Sequence, residues 1–413
     1  MRRMSPRTVF LWMSGAQSLF FTLVFTVNMV YQATVVGLNP LQLVLVGTTL
    51  EVAYFLFEVP TGIVADVRSR KLSVLIGFGL IGAGFMVEAI PRFWTVLLSQ
   101  VLWGIGATFT SGATEAWIID EMAAAGDDLP TGDLFLRATQ ASRVGGLLGI
   151  GLSVGLASFV HIRLPIFLGG LMFWVLAGVM ARLMSEDGFR PTPAADRTSW
   201  QQMGHTLKSG LALVRLRPIL LTILAITTIY GMYSEGWDRL WTPYLLQTFQ
   251  LPSLGNLEPV VWFGLISAVS MLLTLGAAGV VRRVVDTEQS RTLVRALLVV
   301  HLVMMGGILL FSFSGNLALA LVAFWTVGVV RSVTYPLHMA WINQHIDANV
   351  RATVISFEGQ LNAVGQIVGG PPVGYIGNLY SLRVALSLGA LILAPIIPIY
   401  LRLLRRDPGI IAP

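Results

Sequence analysis

The sequence predicts an all-α membrane protein whose twelve transmembrane helices form two pseudo-symmetric six-helix bundles. Three observations support that fold class. About a dozen apolar stretches, each about 20 residues or longer, fill nearly the whole chain, and a helix of that length crosses the hydrocarbon core of a bilayer. Of the 413 residues, 55% are hydrophobic and 12% charged, with a mean hydropathy of +0.75, a balance that suits a lipid-facing surface better than a wet one. One long polar interruption, roughly 185–217, divides the apolar stretches six and six.

Taken in order, the spans run 8–37, 41–65, 72–91, 93–121, 133–158, 161–184, 218–249, 257–281, 290–313, 315–346, 349–378 and 380–404. Tight polar or Gly/Pro turns, such as that from Gly37 to Pro40 and the pair Pro91 and Arg92, force neighbouring spans to run antiparallel. The first stretch has no small-residue cleavage pattern and is expected to stay as a span. Of the 27 Lys and Arg residues, 21 fall on one set of loops together with both chain ends. Only Arg92, Arg163, Arg239 and Arg383 fall on the other set, while Arg143 and Arg331 lie within spans. That asymmetry places both termini in the cytoplasm.

Composition also removes function classes. The formal charge of +6 is scattered over many short loops, so no basic face for nucleic acid is expected. With no Cys and five scattered His, neither a disulfide framework nor a metal site is expected, and no cofactor is implied. No Gly-x-x-x-x-Gly-Lys-Ser/Thr run is present to bind nucleotide, so the energy source is expected to be a proton gradient.

The chain divides into an N-terminal bundle, 1–184, a cytoplasmic linker, 185–217, and a C-terminal bundle, 218–413. Within the linker Trp200, Met203, Leu207, Leu211 and Val214 recur at helical spacing beside Lys208 and Arg215, which predicts an amphipathic helix on the membrane surface. The two halves echo each other. Arg-Ala-Thr opens spans 5 and 11, at Arg137 and Arg351, and Ala-Trp-Ile recurs around Trp117 and Trp341 at matching depth in spans 4 and 10. Weak internal likeness of this kind marks a duplicated carrier. Glycine runs in span 5 (Gly145, Gly146, Gly149, Gly151) and span 11 (Gly365, Gly369, Gly370, Gly374) predict close helix approach.

Between spans 2 and 3 lies a charged turn with Gly62, Asp66, Arg70 and Lys71. With twelve spans and a central linker, it resembles the loop 2–3 signature of the major facilitator superfamily. Flanking segments around Glu58, Glu115 and Glu235 are similar to bacterial drug/proton antiporter-like members. The turn departs from the family pattern at Val67, where Arg is usual, and at Ser69, where Gly is usual. The prolines of the glycine runs fall in span 11, whereas span 5 is the usual place in antiporters. The resemblance implies a multi-pass protein of the bacterial inner membrane that moves a small molecule by alternating access. It also implies a cytoplasmic latch in which Asp66 meets the N-terminus of span 11 and Arg70 pairs with Asp120.

Ionisable groups at mid-bilayer cost at least roughly 2.5–3.5 kcal/mol each, so each calls for a cavity, a partner or a proton. Glu51 and Arg143 fall at similar depth and are expected to face each other, as are Arg331 and Glu358, with His338 read as a packed polar residue. On span 7, Asp238 and Arg239 are expected to pair at the outer side, leaving Glu235 alone. The proton-coupling set is therefore Glu115, Glu235, Glu51 and Glu358, the first two preferred, with a static ion pair equally open for each. Asn28, Tyr31, Gln32, Trp117, Tyr230, Tyr233, Trp237 and Asp238 could line an amphiphilic substrate pocket, although Trp and Tyr near span ends also suit interfacial anchoring. These expectations describe a monomeric carrier, not an enzyme, exporting an amphipathic drug-like or lipid-like solute against proton entry. A symporter or uniporter for a nutrient or lipid is the alternative, and a non-transporting receptor the alternative from another class.

Overall fold

Capping chemistry in the sequence sets where the helices start. Ser5 precedes Pro6 at the head of the first helix and accepts from the Thr8 amide at 3.4 Å. Asn39 and Gln42 cap each other's amides at 2.9 and 3.1 Å ahead of the third helix. Asn316 and Ser381 accept from Leu319 and Val384 at the heads of two later helices. The computed structural model describes residues 4–127, 130–191, 218–253, 259–346 and 351–406. The expected amphipathic linker helix lies outside the described residues.

All described secondary structure is helical. The N-terminal half contains α1 (Pro6–Phe25), α2 (Asn28–Thr34), α3 (Pro40–Val67), α4 (Arg70–Glu88), α5 (Phe93–Thr110), α6 (Ala113–Ala124), α7 (Thr131–Phe159) and α8 (Arg163–Leu183). The C-terminal half contains α9 (Pro218–Thr248), α10 (Val260–Val284), α11 (Ser290–Phe313), α12 (Leu317–Gln344), α13 (Arg351–Leu379), α14 (Leu382–Leu393) and α15 (Ile396–Arg406). Eleven spans are long and apolar enough to cross a membrane by length and composition. The twelfth, α13, is 29 residues long but less apolar, because Glu358, Gln360, Asn362 and Gln366 interrupt it. Among the described residues, eleven apolar spans and α13, which has the length of a twelfth, make the chain a multi-pass membrane protein.

Three spans expected to be continuous are broken. Span 1 parts at Thr26 and Val27, and span 12 parts at Pro395, which cannot donate to the preceding turn. Span 4 parts at Ser111 and at Gly112, whose φ of +70° is open to glycine and disfavoured for other residues. The break makes Glu115 a first-turn residue of α6, where the helix dipole favours an anion.

The same helix pairs pack in both halves. Span 1 lies on spans 5 and 6 (α1 on α7 and α8), as span 7 lies on spans 11 and 12 (α9 on α13 and α14). Span 3 lies on spans 4 and 6 (α4 on α5 and α8), as span 9 lies on spans 10 and 12 (α11 on α12 and α14). The glycine runs explain the closest pairs. A Cβ on Gly145 would sit 2.1 Å from the Gly15 carbonyl oxygen, and one on Gly365 would sit 2.3 Å from that of Thr228. Both contacts are backbone to backbone, which only small residues permit.

Two compact units result. One comprises Met1–Gly37, Thr49–Met203 and Ser253–Leu265; the other comprises Leu38–Thr48, Gly204–Pro252 and Ile266–Pro413. The first residues of α3 thus belong to the C-terminal unit and those of α10 to the N-terminal one, a division finer than the linker suggests. Buried aromatic rings fill each interior. Phe21, Phe85 and Phe173 meet around Trp103 in the first unit, and Trp237, Phe311 and Phe324 meet in the second.

Candidate functional site

The polar interior of the C-terminal unit is built on α9. Glu235 and Arg239 stand one helical turn apart and bond at 3.0 Å, with Glu235 buried. The pair is closely enclosed, since a Cβ on Gly47 would overlap the Glu235 carboxylate and one on Gly370 would come within 2.9 Å of its Cγ. Asp238 turns the other way and receives a two-pronged bond from Arg331 of α12, at 2.5 and 2.8 Å. The same guanidinium donates to the Tyr230 hydroxyl at 3.4 Å and lies 5.7 Å from the Tyr233 ring centroid.

These contacts correct three expectations. Glu235 is the partner of Arg239, so it is not the solitary carboxylate of span 7. Asp238 does not pair with Arg239, because adjacent helical residues diverge by about 100° and cannot face each other. Arg331 is held by Asp238 and not by Glu358.

Glu358 lies elsewhere. It is buried on α13, where its Oε1 accepts from the Thr227 hydroxyl at 3.1 Å. The same hydroxyl oxygen lies 3.1 Å from Nε2 of His338, itself 4.0 Å from the carboxylate. Carboxylate, hydroxyl and imidazole therefore form a short chain from α13 through α9 to α12. They line a small cavity of about 60 Å³, open on one side, that also meets Tyr230, His301 of α11 and Asn362. His338, expected to be a packed polar residue, is buried but is a member of this chain.

In the N-terminal unit the acids are arranged differently. Tyr54 hydrogen-bonds Ser111 at the break in span 4 and feels the fields of Glu51, Glu58 and Glu115. Glu115 on α6 and Arg143 on α7 are both exposed. A second group surrounds Glu88, a buried acid that sequence reasoning missed. Gln32 donates to its carboxylate at 2.7 Å, and the Tyr31 hydroxyl donates to its carbonyl at 2.9 Å. Tyr31, Gln32 and Asn28 are thus interior residues of this unit, Tyr31 and Gln32 engaged by Glu88.

Near the turn between α3 and α4, Arg70 pairs with Asp120, the pair that the resemblance implies, and also donates to the Ala116 carbonyl. Asp66 occupies the last turn of α3 and Gly62 the turn before it. Ser69 caps α4 through the Leu72 amide at 2.9 Å, and its hydroxyl meets Glu186 at 2.7 Å. Lys71 reaches the same carboxylate through its amide at 3.1 Å and the Met184 carbonyl through Nζ at 2.7 Å. Trp117 donates to the Ser185 carbonyl at 2.7 Å, and Glu121 accepts from the Gly188 amide at 2.7 Å and from the Ser185 hydroxyl. Trp117 is therefore bound to the start of the linker. Among the residues expected to line a pocket, Tyr230 does line the cavity, Tyr233 lies under Arg331, and Trp237 is packed against Phe311. Glu121, Thr227 and His301 were not singled out by sequence, since each lies in an ordinary helical context and acquires partners only through tertiary contact.

Twelve helical spans in two repeated halves, with acids and histidines held within the spans, define a membrane carrier and not an enzyme. Among the described residues no group of three or more His, Asp or Glu is placed to hold a metal. The chain belongs to the major facilitator superfamily, whose model matches residues 11–370. It is similar to the Bacillus subtilis (strain 168) protein named as uncharacterized MFS-type transporter YxaM, with 24% identity over 370 residues, covering 87% of this chain and 86% of that one. Among solved structures, nucleoside transporter NupG aligns with a TM-score of 0.74 at 13% identity, covering 97% of this chain and 99% of that one. Peptide transporter POT in complex with sulfate aligns with a TM-score of 0.74 at 15% identity, covering 98% and 94%. At these identities the solved structures establish the fold alone.

Proposed function

We propose that this transporter is a proton-coupled exporter of an amphipathic small molecule, working as a monomer in the bacterial inner membrane by alternating access, with both termini in the cytoplasm. The observation supporting proton coupling is the chain Glu358, Thr227 and His338 beside a cavity. The Thr227 hydroxyl has one proton to give. When Glu358 is ionised, the hydroxyl points to it and His338 donates from Nε2. When Glu358 is protonated, it donates to Thr227, and the hydroxyl can turn to a bare Nε2. One proton arriving at this site reverses the direction of the whole chain, which links protonation to the relative placement of α9, α12 and α13.

Glu115 is the second proton-carrying acid in this reading, with Glu51 beside it through the Tyr54 group. Glu235 takes a structural role because Arg239 already neutralises it. Asp66 serves the latch. An anion in the last turn of a helix opposes the helix dipole, so its retention there calls for donors from another element.

The test uses purified protein in vesicles with an acidic lumen and a pH-sensitive dye inside. A thermal-shift screen of lipophilic cations, lipids and small nutrients first supplies a substrate. Adding that substrate outside should alkalinise the lumen as protons leave in exchange. Further acidification on substrate entry would show symport, and an unchanged pH with substrate entering would show a uniporter. Binding without any flux would show a receptor.

A further inference from the structure

We propose that the cavity of the C-terminal unit binds the protonated amino group of an organic amine, held between the Glu358 carboxylate and Nε2 of His301. The proposal rests on the transport reading for its physiological meaning, but the geometry behind it and its test do not.

Hydrogen-bond supply around the cavity fixes the polarity of the ligand. His301 is 1% exposed on α11, and its Nδ1 lies 2.8 Å from the Leu297 carbonyl oxygen. A carbonyl only accepts, so Nδ1 holds the ring proton and Nε2 is the acceptor of the neutral imidazole. That Nε2 is buried and meets no hydrogen-bond partner among the described residues. The Tyr400 ring lies 5.5 Å from the imidazole, yet its hydroxyl is also unpartnered and does not serve Nε2. A buried acceptor without a donor costs roughly 1–3 kcal/mol, so its retention against a cavity points to a donor that arrives from outside the chain.

Two of the nearby hydroxyl protons are already engaged, while the Tyr230 and Tyr335 hydroxyls and the Asn362 amide nitrogen keep donors on the wall. Thr334 donates to the Val330 carbonyl at 2.8 Å, and Thr227 stands between Glu358 and His338. Gln366 occupies the Asn362 oxygen at 2.9 Å. Beside those neutral donors the wall carries two acceptors, the buried His301 lone pair and the second oxygen of Glu358, the latter the cavity's one source of formal negative charge among the described residues. Charge points the same way. No Lys or Arg lines the cavity among the described residues, and Arg331, the guanidinium beside Tyr230, is held by both oxygens of Asp238. An ammonium brings several N–H donors and one positive charge, matching both deficits. The rings of Tyr230 and Tyr335 offer an apolar and π-rich wall to the rest of the molecule. A neutral alcohol supplies one donor and no charge, and a carboxylate is repelled by Glu358.

The test measures binding of three isosteric probes to the purified full-length protein in detergent, by calorimetry and thermal shift at neutral pH. The probes are 2-phenylethylamine, 2-phenylethanol and 3-phenylpropanoate. The amine should bind at least tenfold more tightly than the other two, and only the amine should raise the melting temperature. Glu358→Gln and His301→Phe should each weaken amine binding at least tenfold while leaving alcohol binding unchanged. Equal binding of amine and alcohol, or preference for the anion, would overturn the proposal on the parent protein alone, whatever the folding of the variants. Amine-selective binding that survives Glu358→Gln in a folded variant would overturn this placement of the site. Amine-selective binding by a parent protein that shows no substrate-driven proton movement in vesicles would count against the transport reading and leave the ligand assignment standing.

Discussion

The two halves share a packing plan and differ in what they do with buried charge. In the N-terminal unit Glu88 engages Gln32, Asp120 engages Arg70, and Glu121 and Glu186 fasten the first residues of the linker. In the C-terminal unit Glu235 and Asp238 are consumed by Arg239 and Arg331, which leaves Glu358 in a cavity with two histidines. A duplicated scaffold thus preserves its helix contacts while its polar residues diverge. One half uses its acids to brace the turn between α3 and α4 and the residues after α8, and the other sets one acid beside two histidines in a cavity.

The largest expected effect comes from the enclosed pair. Arg239→Ala leaves Glu235 buried and unpaired, and should destabilise the protein by roughly 3–5 kcal/mol, read as a lowered midpoint of thermal unfolding in detergent. A variant as stable as the parent would mean that Glu235 is a proton site after all, and would bring the two units closer in character. Next in size are the glycine contacts. Gly145→Leu and Gly365→Leu each drive a side chain into a facing backbone, and each should cost roughly 1–3 kcal/mol by the same measurement. Similar losses in both halves would support the shared plan; a loss in one alone would break it.

Much of this plan is legible in the sequence for a simple reason. Span length, loop charge and glycine spacing are local properties, so the spans and the close approach at the glycine runs of spans 5 and 11 follow from them, while the partner helices α1 and α9 do not. The Arg70 and Asp120 pair follows from the motif carried by the charged turn. The Glu235 and Arg239 pair was also readable, since i and i+4 residues stack on one helix face. The partners of Glu358 were not, because Thr227 lies 131 residues away in sequence and His338 on a third helix. Glu88 was missed because its partners Tyr31 and Gln32 looked like pocket residues while serving the unit's own interior. The break at Gly112 escaped because a lone glycine in an apolar run does not announce a positive φ.

Smaller effects sharpen the contrast at the turn between α3 and α4. Asp120→Asn removes a partly exposed pair and should cost about 1 kcal/mol or less, while slowing transport more than it lowers stability. Asp66→Asn should likewise impair turnover more than folding, and an unaltered transport rate in vesicles would remove the latch. Ser69→Gly restores the usual family residue and deletes the hydroxyl that meets Glu186, for about 0.5–1.5 kcal/mol. If this variant is as stable as the parent, the linker is held by Lys71, Trp117 and Glu121 alone.

The most direct test of the account compares Glu358→Gln with Glu235→Gln in vesicles, measuring proton-driven substrate accumulation and substrate exchange without a gradient side by side. Glu358→Gln is expected to abolish accumulation while retaining exchange, and Glu235→Gln to retain both in whatever fraction folds. Accumulation that persists in Glu358→Gln and fails in Glu235→Gln would contradict the assignment of proton coupling to the cavity of the C-terminal unit.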